Sequence, residues 1–532
     1  MRLADLRWTL RGALLATVVV ILQACGGGGG CGGQPTGTAS PVGCGGSSTT
    51  TTSTQPAPVI ELPPISSTLE LGNQCSALNT RAPENQRTTS LSVEKAWIRA
   101  LFDEYYLWYG EVPAVNGDDW AYVKNTVSES LGLYFNALRT PALTASGKRK
   151  DQFSFMTPTT TWSDRITLGV NLGYGIEWKF ANSRPPRRIR VVWVEPGSPA
   201  AAAGVMRGDA LVSVDGVSSE DGTQAGVDVL NTAMFPSEAG QAHSFVFNRN
   251  GASRSLSLTP ASVTSDPVPI VKTLDVNGEA VGYLMYQSFN AVSEAKLIRA
   301  VEQLQASQVK DLVLDLRYNG GGYLYVANTL AAMLSNAATT EGKTFERLKF
   351  NDKRLFENAF GNTLFTNTSC ILVNGSCSAR TPLPRLGLDR VYVLTGPGTC
   401  SASESVVNAL RGVGLNVHLV GDTTCGKPYG FTEHRNCGYS YFPIEFQGVN
   451  HQGFGDYADG FAPTCAAQDD LGQVLGESSE NLLASALYHR RTGLCLGADG
   501  SIASLRNQPE PSYGAELSPP PAWTSKFQRP LR

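Results

Sequence analysis

Between about residues 266 and 490 the chain alternates short apolar runs of strand character with stretches of helical spacing. Strand patterns occupy 281–286, 312–316, 391–394 and 417–420, and helical patterns occupy 293–305, 323–334 and 403–411. Alternation of this kind predicts a layered α/β core. Two other textures precede it. Residues 165–262 carry β-rich runs at 189–194, 210–214 and 244–248, separated by Gly and Pro turns. Residues 86–160 are helical in pattern, with Trp97, Ile98, Leu101, Phe102 and Tyr105 on one face of a helix predicted over 91–110 and a second helix over 120–138. The aromatic run Tyr105, Tyr106, Trp108 and Tyr109 reads as core packing. At 532 residues and 42% apolar, the chain holds several domains. The expected class is multidomain α/β, α+β overall.

The N-terminus concerns targeting rather than folding. Arg2, Arg7 and Arg11 precede an apolar run over 13–22, followed by Leu22-Gln23-Ala24-Cys25. This predicts a secretory signal over 1–24, since a membrane span needs ~20 apolar residues. Leu-x-Ala-Cys resembles the bacterial lipobox, which implies cleavage before Cys25 and its lipidation. Gly26 after the cysteine implies the outer membrane, facing the periplasm. Residues 25–85 read as a Gly/Ser/Thr/Pro-rich linker and 505–532 as a Pro-rich tail. Of 11 cysteines, ten remain once Cys25 is an anchor, an even number suited to an oxidising compartment. Cys370 with Cys377 and Cys437 with Cys465 are candidate pairs. Lys+Arg (43) and Asp+Glu (46) nearly balance, so there is no basic surplus of the kind nucleic acid attracts, and no such partner is expected.

Three segments at predicted strand ends could carry chemistry. They are Asp315-Leu316-Arg317-Tyr318-Asn319-Gly320-Gly321-Gly322, Thr399-Cys400-Ser401-Ala402-Ser403-Glu404 and Gly421-Asp422-Thr423-Thr424-Cys425-Gly426-Lys427. Ser401 follows a strand and opens a helix, beside unpaired amides and the positive end of the helix dipole. That setting suits a nucleophile whose attack builds an oxyanion, although serine also caps helices for structural reasons alone. Lys427 follows the next strand and its turn. A dry junction there would favour the neutral amine, which can take a serine proton, whereas a solvated lysine is the ordinary alternative. Gly421-x4-Gly426-Lys427 imitates a phosphate-binding loop, but Pro428 stands where Ser or Thr is needed. The five histidines (His243, His418, His434, His451, His489) make no motif, with His434 and His451 left open as triad partners. No His/Cys spacing matches a zinc site.

Within 165–262, Leu172-Gly173-Tyr174-Gly175-Ile176, Val194-Glu195-Pro196-Gly197-Ser198-Pro199-Ala200, Arg207-Gly208-Asp209-Ala210-Leu211 and Val214-Asp215-Gly216 follow in the order that resembles a PDZ domain. That resemblance implies peptide addition at an open sheet edge, with the peptide's carboxylate held by Gly173, Tyr174, Gly175 and Ile176. Behind it, the three strand-end segments resemble the D-L-R-x-N-x-G-G, S-A-S-E and G-K motifs of the tail-specific, or carboxyl-terminal processing, proteases of peptidase family S41. The resemblance covers about residues 90–490. It implies a crotonase- or ClpP-like α/β protease core over 266–500, Ser401 as nucleophile and Lys427 as general base. It also implies an oxyanion hole from the Ala402 amide and an amide of Gly320 or Gly321. The implied activity is a serine endopeptidase for proteins or peptides with free, apolar C-termini, with no metal or cofactor. Lys427 lies one residue further from Ser401 than in the common bacterial members, an insertion placed in the turn 411–416. Where the family's G-K-x-x-x-Q has a lysine-orienting glutamine, this chain has Phe431, with Thr432 or Glu433 as substitutes. The alternative reading is an inactive, PDZ-containing lipoprotein that only holds or scaffolds peptides. A bridge between Cys400 and Cys425 would tie the Ser401 and Lys427 junctions together.

Overall fold

Six strands make the central sheet, in spatial order Ile270–Val276, Glu279–Met285, Asp311–Asp315, Arg390–Thr395, Asn416–Gly421 and Cys465–Ala466. The first pair is antiparallel and the others are parallel. The computed structural model describes residues 65–373, 376–377, 380–497, 515, 517 and 527–528. The signal 1–24, the Cys25 lipidation site, linker residues up to 64 and most of the Pro-rich tail lie outside the described residues.

All five residues of Asp311–Asp315 are buried, as a strand covered on both faces must be. Side chains alternate across it. Leu312 and Leu314 join the larger apolar cluster, whereas Val313 joins a second cluster beneath Asn481–Thr492 with Leu482, Leu483 and Ala486. The larger cluster holds helices Ser293–Ala306, Leu324–Leu334 and Ala402–Gly412. Leu324–Leu334 is buried along its whole length, as expected of a helix apolar on every side. Among the described residues no helix is long and apolar enough to cross a membrane.

The β-rich region forms a sheet ordered Ile176–Lys179, Arg190–Val194, Ala210–Val214, His243–Arg249 and Ala252–Leu258, with helix Gln224–Met234 packed on it through Val227 and Leu230. Pairing of Val170–Gly173 with Ala261–Thr264 closes its ends. Ile176–Lys179 is left at the sheet edge. Beyond that strand, the Leu517 N–H donates to the Ser183 carbonyl, and the Leu517 side chain is buried in this domain's core.

The N-terminal helical region does not stand apart. Trp97, Leu101, Phe102 and Phe135 belong to the same cluster as the core helices, and Phe155–Pro158 pairs with Tyr439–Phe442. The first helix runs Leu91–Tyr105 and ends where Tyr106 turns extended. The second runs only Val127–Ala137. Asp119 accepts from the Ala121 N–H to cap a separate short turn, Trp120–Tyr122, and Thr126 then caps the true helix by accepting from the Glu129 N–H.

Two expectations are corrected. Residues 65–85 are not linker: Cys75 is fully buried and bonded to Cys437, and Asn79 donates to Glu94 and to the Cys437 carbonyl. A polar composition hid a segment held by one covalent bond and buried side chains. Cys437 therefore does not pair with Cys465, which lies on the last sheet strand and bonds Cys495 just after the helix Asn481–Thr492. Cys370 and Cys377 are bridged as expected.

The Cys75–Cys437 bond closes a loop of 362 residues, so its loss frees a large segment of the unfolded chain. We expect Cys75→Ser with Cys437→Ser to destabilise the protein by about 3 kcal/mol. The check is a denaturant melt beside the parent; an unchanged midpoint would refute the assignment.

Candidate active site

The serine and lysine junctions lie at the ends of adjacent parallel strands. Arg390–Thr395 leads to Ser401 and Asn416–Gly421 leads to Lys427, with Thr395 opposite Gly421 in register. The Cys400–Cys425 disulfide joins the two turns. The Cys425 N–H also donates to the Thr399 carbonyl at 3.0 Å.

Glu404 makes the second link. It is fully buried on the first turn of helix Ala402–Gly412, and its carboxylate accepts from both junctions. Oε2 takes the N–H of Ser401 (2.9 Å) and of Lys427 (2.8 Å), while Oε1 takes Thr424 Oγ1 (2.6 Å) and the Gly426 N–H (2.9 Å). Burial raises its pKa, and these four donors oppose the rise. A negative group in the first helical turn is also favoured by the helix dipole.

Ser401 has φ 59° and ψ −116°, a backbone region costing about 1–3 kcal/mol for a residue with a Cβ. The bonds around it hold it there. Cys400 N–H and Ser403 Oγ both donate to the Asn319 carbonyl, and Thr399 Oγ1 donates to the Leu316 carbonyl. Ser401 Oγ is buried and has no hydrogen-bond partner among the described residues.

The glycine loop presses against this turn. A Cβ on Gly321, whose φ is +103°, would lie 2.8 Å from the Ala402 nitrogen and 2.9 Å from Ser401 Cβ. Only glycine permits that approach. The Gly321 N–H is occupied by Asn319 Oδ1 at 2.9 Å. The N–H groups of Gly320 and Ala402 meet no acceptor among the described residues. Of the two glycine amides, that of Gly320 is therefore the one left without an acceptor among the described residues.

Lys427 is buried, with its ammonium 4.2 Å from the Phe431 ring centroid and 5.4 Å from that of Phe153. Burial pulls its pKa down to about 7, against the upward pull of Asp151 and Glu404. The position expected of glutamine is thus an aromatic wall. Thr432 is bonded to Glu445, and Glu433 to Arg435 and Ser440.

The sequence reading missed Asp151 and Phe153. Asp151 is buried and accepts from Tyr106 Oη, Ser154 Oγ and the N–H groups of Phe153 and Ser154. Its negative charge opposes the fall in the Lys427 pKa. Its one sequence signal is an acidic residue between the basic run 148–150 and Phe153, which has no fixed spacing from the G-K motif. Cys400, Glu404 and Cys425 gather closely, but both sulfurs are spent in the disulfide and no thiolate is left for a metal.

At the PDZ-like edge, Tyr174 is buried with its hydroxyl donating to the Ala233 carbonyl. The Tyr174 and Gly175 carbonyls accept from Ala200 and Glu195, and their own N–H groups meet no acceptor among the described residues. Gly173 and Gly175 take positive φ, and Ile176 starts the edge strand.

Comparison with known proteins matches this layout. Residues 280–435 match the model of peptidase family S41, and residues 190–229 that of the PDZ domain. The carboxyl-terminal-processing protease of Picosynechococcus sp. is 28% identical over 243 residues, 45% of this chain and 50% of that protein. The chloroplastic C-terminal processing peptidase of Tetradesmus obliquus is 26% identical over 372 residues, 66% of this chain and 70% of that protein. This chain thus spans half of the first relative's length. A crystal structure from Bacteroides fragilis assigned to the S41 proteases superposes with a TM-score of 0.55 at 24% identity, covering 74% of this chain and 96% of that one. The fold is that of the S41 proteases.

Glu404→Ala would leave four donors facing a cavity. We expect it to lower stability by about 3 kcal/mol or more, with Glu404→Gln losing less. Unfolding midpoints check this; an alanine variant as stable as the parent would show that Glu404 does not hold the two junctions.

Proposed function

We propose that this chain, which carries a peptidase family S41 domain behind a PDZ domain, is a serine endopeptidase of the carboxyl-terminal processing type with a Ser401–Lys427 dyad. The observation that carries the reading is a buried lysine whose pKa falls to about 7, tied by a disulfide and a shared carboxylate to a serine with an uncommitted hydroxyl. An amine with that pKa is neutral in a useful fraction at pH 7, which an ordinary lysine is not.

Neutral Lys427 takes the Ser401 proton as Oγ attacks the scissile carbonyl. The oxyanion is met by the N–H groups of Ala402 and Gly320. The ammonium then protonates the leaving amine, giving an acyl-enzyme that water hydrolyses with Lys427 again as base. These steps call on no metal or cofactor. Phe431 and Phe153 serve here in place of an orienting glutamine: they keep water from the amine and restrict where it points. Asp151 keeps the pKa from falling further.

Substrates are proteins or peptides with free, apolar C-termini. The peptide adds to the edge strand Ile176–Lys179, with its carboxylate on the amides of Gly173, Tyr174, Gly175 and Ile176. Four disulfides among the described residues fit an oxidising compartment. We place the protein in the bacterial cell envelope, anchored through lipid on Cys25 to the outer membrane and facing the periplasm.

The test uses the mature chain with Cys25 replaced by Ser, and its Ser401→Ala and Lys427→Ala variants, on unstructured peptides ending in apolar residues. Cleavage by the parent alone is expected, each variant losing at least ~1000-fold. Equal cleavage by Ser401→Ala would end the reading, and tight binding without cleavage by any form would favour a peptide-holding role.

The pH dependence has a definite sign. Activity should rise through about pH 7 as Lys427 loses its proton. Because the folded pKa lies below that of the unfolded chain, the unfolded state binds more protons between about 7 and 10.5, so this group's contribution to stability increases with pH across that window. Lys427→Met should therefore raise the melting temperature more at pH 6 than at pH 9. An equal effect at both pH values would mean that the amine is not depressed.

A further inference from the structure

Strand Thr344–Phe350 carries one residue that breaks its pattern. Glu346, Leu348 and Phe350 share a face and all are buried, so a carboxylate sits at an apolar position. Buried carboxylates are normally paired with a cation or fully hydrogen-bonded. Glu346 Oε1 accepts from Ser405 Oγ at 3.0 Å, while Oε2 has no partner among the described residues.

Glu346 lines a cavity of about 120 Å³. Leu324, Phe345 and Leu348 supply apolar wall, and Tyr325 lines it with a buried hydroxyl that also lacks a partner. A second carboxylate stands behind the wall. Glu294 Oε1 accepts from Thr329 Oγ1 and the Cys370 N–H, two residues that line the cavity, and Glu294 Oε2 again has no partner among the described residues. No lysine or arginine among the described residues lines the space. Burial raises the pKa of Glu294, and that of Glu346 to about 7, as expected where no positive charge answers either one. Protonating Glu346 alone would still leave the Tyr325 hydroxyl and Glu294 Oε2 unanswered.

The position is as informative as the chemistry. Ser405, which holds Glu346, lies one helical turn from Ser401 and donates its N–H to the Ser401 carbonyl. Leu324 and Tyr325 directly follow the glycine loop. The cavity therefore lies within a turn of both loops that would flank a scissile bond.

We infer that this cavity takes an aliphatic ammonium, the lysine side chain of a substrate residue beside the scissile bond. Its methylenes would lie on Leu324, Phe345 and Leu348, and its ammonium would donate to Glu346 Oε2 and Tyr325 Oη. That the occupant is a substrate side chain rests on the protease reading above.

The test compares peptides identical except for one scanned residue, either lysine or norleucine, with cleavage sites mapped by mass. Bonds flanked by lysine should be cleaved by the parent at least about tenfold faster in kcat/KM than the norleucine equivalents. That ratio should fall to about one in Glu346→Gln and several-fold in Tyr325→Phe, which removes only an oxygen. A parent without the preference, or variants that keep it, would overturn the inference while leaving the protease reading intact. If the parent cleaves nothing, the protease reading fails by itself. The cavity is then judged by calorimetry of n-butylammonium chloride with the Ser401→Ala protein. Saturable binding that is lost on adding Glu346→Gln supports the cation site, and no binding overturns it.

Discussion

A lysine can serve as a base near neutral pH only where water is kept from its ammonium. Desolvation is the largest influence on Lys427, and it is strong enough to outweigh two nearby carboxylates. Keeping a side chain that dry requires walls drawn from distant parts of the chain. Phe153 comes from the segment after the N-terminal helices, and Phe431 from beyond the strand Asn416–Gly421. This explains why the N-terminal region is built into the core rather than tethered to it. Tyr106, at the end of the helix Leu91–Tyr105, bonds Asp151, and Asp151 in turn bonds the Phe153 N–H. Loosening that region would wet the amine and return it toward an ordinary lysine.

Dryness alone does not bring Lys427 to Ser401, and the two turns concerned are held by different strands. Two constraints of different kinds join them, the covalent Cys400–Cys425 bond and the Glu404 carboxylate that accepts from both, and a third, the tight approach of Gly321, ties the Ser401 turn to the glycine loop. Each limits a different motion. The disulfide limits separation of the turns, the carboxylate orients their amides, and the glycine contact fixes the distance to the loop that supplies Gly320. The unfavourable backbone of Ser401 persists because these constraints over-determine it.

What could be read in the sequence follows from how local each feature is. The strand–helix alternation, Ser401 at a helix start and Lys427 after a strand are short-range patterns, and the structure shows elements at each place. Cys400 and Cys425 were legible as partners because each lies within two residues of a candidate. The pairing of Cys437 was not, because its true partner lies 362 residues away in a stretch whose composition resembles a linker. Helix Val127–Ala137 was overextended because the aromatic residues of Trp120–Tyr122 continue its apolar spacing, and only the caps at Asp119 and Thr126 separate the two. That the Gly321 amide is occupied and the Gly320 amide is not depends on a single side-chain bond to Asn319, which no spacing rule encodes. Asp151, Phe153 and Glu346 acquire their surroundings only through tertiary packing, so nothing local marks them.

The glycine loop has a further dependence that joins the two domains. Arg317 bonds Asp315, Asp469 and Glu480, and Tyr318 donates to Asp469. Arg207 of the PDZ domain reaches the same cluster, donating to Tyr318 Oη at 2.6 Å and Asp469 Oδ1 at 2.7 Å, while another bond returns to the Val192 carbonyl of its own sheet. Arg207 and Arg317 thus share one carboxylate, that of Asp469, whose pKa is held down by both despite its burial. Two guanidinium groups on one carboxylate cannot be rearranged singly, because removing either leaves a partly buried charge short of its partner. Tyr318 is two residues from Gly320, so a displacement of the PDZ domain large enough to withdraw Arg207 also removes a support of the loop carrying that amide. The PDZ sheet and the glycine loop are therefore linked through a few short, charge-assisted bonds, although they belong to separate sheets.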